Sequence, residues 1–174
     1  LVAAALIGWG PLPADRPVTT SRRPTMNDLI DRATLLPMSL DALTSAVSTL
    51  FWLFPPVFAT LNDIPVSELA WYYPILALSL IVARFTIGRL LDRIPRRTAI
   101  IIGGLVAIVG LGIATFAGSV AALTVAGCVW TVGSSFISPT AMAMAMDRAD
   151  PSRRGAAMAT YSLGYQLGMG FGSM

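Results

Sequence analysis

The 174 residues contain no histidine, no lysine and a single cysteine, Cys128. Without histidine the commonest general base and the commonest metal ligand are both missing, so hydrolytic triads and zinc chemistry are not expected. One cysteine inside an apolar run builds neither a disulfide framework nor a metal-binding spacing. Charge is scarce too: 12% of residues are charged, against about 25% in a soluble domain. All twelve basic residues are arginine, which reads as a compositional bias of the source. The net charge of +3 does not point to nucleic acid, because the arginines sit in short clusters between apolar segments and form no basic face.

What is present is hydrophobic sequence, 55% of the chain with a mean hydropathy of +0.72. A soluble chain this apolar would expose more hydrophobic surface than monomers tolerate, so a lipid bilayer is the expected solvent. Residues 1–10 are apolar but lack the charged leader of a signal peptide. They read as the end of a transmembrane helix that starts before Leu1, and the chain is expected to be a fragment. Residues 11–36 form a polar connector with Pro11, Pro13, Pro17 and Pro24. Its second half, 26–33, reads either as a short interfacial helix capped by Thr25 or Asn27 or as a solvated loop.

Five apolar segments follow, at about 37–61, 70–91, 98–118, 120–146 and 155–174. Each reaches the roughly 20 residues a bilayer span requires. The expected fold class is all-α, a bundle of five transmembrane helices over residues 37–174. The arginines orient it. Arg16, Arg22, Arg23 and Arg32 lie in the connector, Arg89, Arg93, Arg96 and Arg97 in the second link, and Arg148, Arg153 and Arg154 in the fourth. The other two links carry none, so loops 11–36, 88–98 and 147–154 are expected on the cytoplasmic side. The exception, Arg84, lies inside a span, where it either snorkels to the surface or pairs with a buried acid. Trp71, Tyr72 and Tyr73 open the second segment on the opposite side, where an aromatic belt belongs.

At about 100° per residue, Asp41, Thr44, Ser45, Ser48, Trp52, Pro55 and Ala59 fall on one stripe of the first full helix. Such a stripe faces protein or water rather than lipid, as a packing surface or as a cavity wall, and Pro55-Pro56 should bend the helix. In the fourth, Thr124, Gly127, Cys128, Thr131, Ser134, Ser135 and Ser138 share a face, again as cavity or as packing glue. The third has almost nothing polar and is expected to be peripheral. The fifth carries Gly164, Gly168 and Gly172 at spacing four, which permits close approach of a neighbour, and a second strip with Gln166. Asp41 has two readings, a helix-start carboxylate favoured by the dipole or a titratable group for proton coupling.

The decapeptide Gly88-Arg89-Leu90-Leu91-Asp92-Arg93-Ile94-Pro95-Arg96-Arg97 lies between two spans on the basic side. It resembles the signature loop of the major facilitator superfamily, with Pro95 where glycine is commonest. The preceding run from Arg84 looks like that of drug-efflux-like members, and Pro151-Ser152-Arg153-Arg154-Gly155 is similar to the turn between their tenth and eleventh helices. The resemblance implies helices seven to eleven of a twelve-helix transporter, with the tail of helix six at residues 1–10. It implies a secondary transporter, not an enzyme, in a bacterial inner membrane. It moves a small molecule, with proton coupling and efflux as the finer expectations, and has no cofactor and no nucleic-acid partner. The six-helix N-terminal half of the same protein is the implied partner. Gly88, Asp92, Arg93, Arg96, Arg97, Asp147 and Arg154 would form a conformational switch, with Arg93 and Arg97 pairing with Asp147 and Arg154 joining them; the other reading is that the arginines only fix topology and meet phospholipid headgroups. Ser45, Ser48, Trp52, Thr131, Ser134 and Ser135 would line the substrate cavity, with Gln166 beside them. The hydroxyl and aromatic character of that stripe favours a neutral or hydrophobic cargo over an organic anion. A non-transporting receptor on the same fold is the alternative.

Overall fold

A computed structural model of the chain describes residues 34–150 and 154–174. The readings for residues 1–10, for the connector up to residue 33 and for Pro151-Ser152-Arg153 lie outside the described residues. Within them are five α-helices: α1 (Leu35–Leu61), α2 (Tyr72–Leu91), α3 (Arg96–Thr115), α4 (Val120–Arg148) and α5 (Arg154–Gly172). A 3-10 turn, Val66–Trp71, leads into α2. By length and hydropathy α1 to α4 are each able to cross a membrane. Glycine and polar side chains dilute the hydropathy of α5, which takes its place by packing on α1.

The boundaries have local causes. Asn62 caps α1, Asp63 turns the chain at φ 53°, and the Ile64 N–H donates back to the Ala59 carbonyl at 2.9 Å. Short polar side chains tolerate that left-handed conformation better than most. Pro95 precedes α3, where a missing N–H costs nothing because the first turn has no intrahelical acceptor for it. Ser119 begins α4 by accepting a hydrogen bond from the Ala122 N–H at 3.2 Å, a serine N-cap.

Helix α4 is the centre of the bundle and packs against each of the other four. Helix α3 packs mainly on α4 and leaves Ile101, Leu105, Ile108 and Val109 exposed, as a peripheral helix should. Its inner edge is Gly103, Ala107 and Gly110. A Cβ on Gly103 would meet the Gly133 carbonyl at 2.9 Å, and one on Gly110 the Trp130 backbone nitrogen at 2.7 Å. The pairing numbers fall on one helix as they rise on the other, so α3 and α4 are antiparallel. On α5, Gly164, Gly168 and Gly172 sit against Met38, Ala42 and Ala46 of α1. Both series climb by four, so α1 and α5 run parallel. This is the small-residue approach expected from spacing four.

Adding a methyl group at Gly168 would drive it into the Ala42 carbonyl and the Ser45 hydroxyl. Gly168→Ala is therefore expected to cost about 1–3 kcal/mol by overpacking. Gly170, with nothing within 4 Å, is the control, and Gly170→Ala should leave the thermal midpoint in detergent unchanged. Equal midpoints for the two variants would contradict the tight α1–α5 contact.

Candidate functional site

Four helices converge on a polar pocket of about 150 Å³. Helix α1 contributes Thr44, Ser45, Ser48 and Trp52, α2 contributes Arg84, α4 contributes Trp130, Thr131, Ser134 and Ser138, and α5 contributes Tyr165. Larger grooves, among them ones of about 440 and 570 Å³, are lined almost wholly by apolar side chains. They offer few groups to orient a ligand. The polar pocket is the candidate site.

The hydroxyls of Thr44, Ser45, Ser48, Thr131 and Ser134 are committed to their own helices. Thr44 donates to the Leu40 carbonyl at 2.8 Å, Ser48 to Thr44 at 2.8 Å, Thr131 to Gly127 at 2.7 Å and Ser134 to Thr131 at 3.0 Å. Ser45 donates to Asp41 at 2.8 Å and also reaches the Tyr165 carbonyl of α5 at 3.2 Å. The Trp130 indole N–H crosses from α4 to the Ser48 oxygen at 3.1 Å, with its ring stacked on Phe51 at 5.8 Å. In an apolar surround this back-bonding satisfies each hydroxyl proton and leaves lone pairs facing the pocket.

Five of the seven cavity residues expected from the sequence therefore meet: Ser45, Ser48, Trp52, Thr131 and Ser134. Ser135 does not join them. It is buried, donates to the Thr131 carbonyl at 2.7 Å and stands outside the lining. Relative to Thr131 it is rotated about 40° one way, whereas Ser138 is rotated about 20° the other. Gln166 lies in an adjoining groove of about 430 Å³ that shares Ser45, Ser48, Trp52 and Tyr165 with the pocket. Arg84, expected to snorkel or to pair with an acid, is exposed, lines the pocket and makes no ion pair among the described residues.

Beside the pocket is a buried carboxylate. Asp41 is 2% exposed and sits beyond the first turn of α1, which contains no acidic residue. The dipole effect fades within that turn, so the helix-start reading does not account for it. The side chains of Ser138 and Tyr161 hydrogen-bond the carboxylate. The Tyr161 hydroxyl also lies 3.1 Å from the Ser138 carbonyl, and Arg84 is within electrostatic reach of it.

The aromatic belt expected at 71–73 is split. Trp71 is 73% exposed, but the Tyr72 hydroxyl donates to the Phe51 carbonyl at 2.8 Å and that of Tyr73 to the Trp52 carbonyl at 3.2 Å. Pro55 and Pro56 have no N–H for the carbonyls four residues earlier, and these are Phe51 and Trp52. Two adjacent tyrosines thus replace two adjacent missing donors. The Pro-Pro pair signals the need in the sequence, but nothing there says which residues supply it.

At the arginine-rich end, Asp147 at the foot of α4 pairs with Arg96 at the start of α3. The sequence pointed to Arg93 and Arg97 as partners of that carboxylate; both are exposed and make no ion pair among the described residues. Arg96 is the first residue of α3, and the α3–α4 contact brings that end beside Asp147. Arg154 is exposed at the start of α5. Gly88 is exposed as well, and a Cβ added there would meet nothing within 4 Å. Asp92 follows α2 as its C-cap residue.

Apolar helices alternating in direction, a hydroxyl-lined pocket among them and arginines gathered at one end define a multi-pass membrane protein built for solute passage. Residues 40–174 match the sequence model of the Major Facilitator Superfamily, and the chain belongs to that family of membrane transporters. No curated protein and no solved structure matches it.

Replacing Tyr72 by Phe removes the donor to a buried carbonyl, and is expected to cost about 1–3 kcal/mol. Adding Pro55→Ala restores a backbone N–H in reach of the same carbonyl, so the double variant should recover part of the loss. Thermal unfolding of the single and double variants measures the coupling, and strict additivity would sink the exchange.

Proposed function

We propose that the chain is the C-terminal half of a secondary active transporter that exports a small molecule by alternating access, coupled to protons. The observation that carries this reading is the polar pocket where α1, α2, α4 and α5 meet, beside the buried Asp41. Sites of this kind, near mid-membrane between two repeated halves, suit alternating access. The partner is the N-terminal half of the same protein, against which exposed Gly88 permits close approach. The arginine-rich end faces the cytoplasm of a bacterial inner membrane, and the run Arg84 to Arg93 favours export.

Asp41 is the proton carrier in this half. The groups facing it are Ser138 from α4, Tyr161 from α5 and, near Tyr161, Arg84 from α2. Its carboxylate is held by hydroxyl donors rather than by an ion pair, so taking up a proton breaks no salt bridge. In the full-length transporter in proteoliposomes, Asp41→Asn is expected to remove the dependence of flux on a pH gradient. Undiminished dependence would remove Asp41 from the mechanism.

Gly88, Asp92, Arg93, Arg96, Arg97, Asp147 and Arg154 form the cytoplasmic switch, with Arg96–Asp147 as its bond within this half. The two side chains are 43% and 59% exposed, and an ion pair in that setting contributes about 0–1 kcal/mol. A weak bond suits a contact that forms and breaks in every cycle. Arg96→Asp should slow transport, and adding Asp147→Arg should restore it. Failure of the swap to rescue transport would leave the pair a surface contact only.

A further inference from the structure

The lining of the polar pocket also states what kind of solute it suits. The hydroxyl protons of Thr44, Ser45, Ser48, Thr131 and Ser134 are committed to backbone carbonyls, Ser138 engages the Asp41 carboxylate, and the Trp130 N–H donates to Ser48. Three lining groups make no side-chain hydrogen bond among the described residues: the Arg84 guanidinium, the Trp52 indole N–H and the Tyr165 hydroxyl. All three are donors, and one is a permanent cation. Asp41, the nearest buried acid, is engaged by Ser138 and Tyr161 and forms no salt bridge with Arg84. An arginine inside a transmembrane segment is costly unless it faces water, a counter-charge or a ligand.

From this we infer that the pocket takes a small organic anion, its carboxylate held by Arg84 and its apolar body lying against Trp52, Phe51 and Leu76. Planar guanidinium matches a planar carboxylate with two parallel hydrogen bonds. Trp52 and Tyr165 bring further donors to the same pocket, and the indole and phenyl faces suit an aromatic or aliphatic remainder. The amide of the same acid lacks the charge, and the corresponding amine repels Arg84. This departs from the expectation of a neutral cargo, which counted the hydroxyls and indoles of the two polar stripes but left out the arginine that α2 adds to them.

The inference rests on the reading of this chain as half of a transporter, and the experiment separates the two. Proteoliposomes with the full-length transporter receive a mixture of matched triplets, each an acid, its primary amide and the corresponding amine. One triplet is 4-hydroxyphenylacetate, 4-hydroxyphenylacetamide and tyramine, and flux under a pH gradient is read by mass spectrometry. The acids are expected to move best. Arg84→Gln should lower acid flux by about 10- to 100-fold, the weight of one charge-assisted hydrogen-bonded contact, while Arg84→Lys keeps a measurable part of it. Thermal midpoints of both variants show that the bundle is intact. Preferential movement of amides or amines overturns the anion inference and leaves the transporter reading standing. So does acid flux in Arg84→Gln equal to that of the unaltered protein, including the case where only its thermal midpoint falls. No flux of any member overturns both.

Discussion

Inside a bilayer no water is present to take up a backbone hydrogen bond, so every backbone polar group must find its partner within the protein. The prolines of α1 show the constraint most directly. Pro55 and Pro56 leave the carbonyls of Phe51 and Trp52 without intrahelical donors, and the hydroxyls of Tyr72 and Tyr73 occupy the two positions. This exchange ties the middle of α1 to the start of α2. It also fixes the lateral position of Phe51, which stacks on Trp130 of α4. The same constraint turns serines and threonines of α1 and α4 back onto their own helices, so that the donors left free in the pocket are those of Arg84, Trp52 and Tyr165.

Close packing follows from a second physical fact, that lipid tails are as apolar as leucine and give helices little hydrophobic reason to associate. Contact has to come from backbones that approach closely. Glycines provide this on both sides of the bundle, Gly103, Gly110 and Gly133 between α3 and α4, and Gly164, Gly168 and Gly172 between α5 and α1. The α1–α5 contact does more than hold two helices. It brings Tyr161 to Asp41 and the Tyr165 backbone to Ser45, which closes one wall of the pocket. The glycine stripe and the polar site are therefore parts of one arrangement.

Much of the fold was legible in the residues. Helix number and limits followed from apolar run length, and the structure moved the ends by only two or three residues in most cases. The Thr131–Ser134–Ser138 line and the Ser45–Ser48–Trp52 line came from helical periodicity, and the pocket unites them. The site was read less completely where a residue's role depends on a second helix. Ser135 shares a face with Thr131 on a helical wheel, yet an offset of about 40° is enough to place it outside the pocket. Arg84 stood alone in its segment, with nothing nearby in sequence to mark it as part of a site. Arg93, Arg96 and Arg97 were equivalent as charges, and only the seating of α3 on α4 selected Arg96 for Asp147.

The sequence by itself determined the solvent, the spans, the end of the bundle that carries positive charge and the family, because these depend on composition, run length and local motif. It also determined that two carbonyls of α1 need outside donors, since proline chemistry is local. Only the tertiary structure decided which tyrosines meet that need, which arginine pairs and which one enters the pocket. Periodicity fixes the direction of a side chain about its own helix axis. What it meets there is set by the rotation and height of the neighbouring helix, and those come from packing.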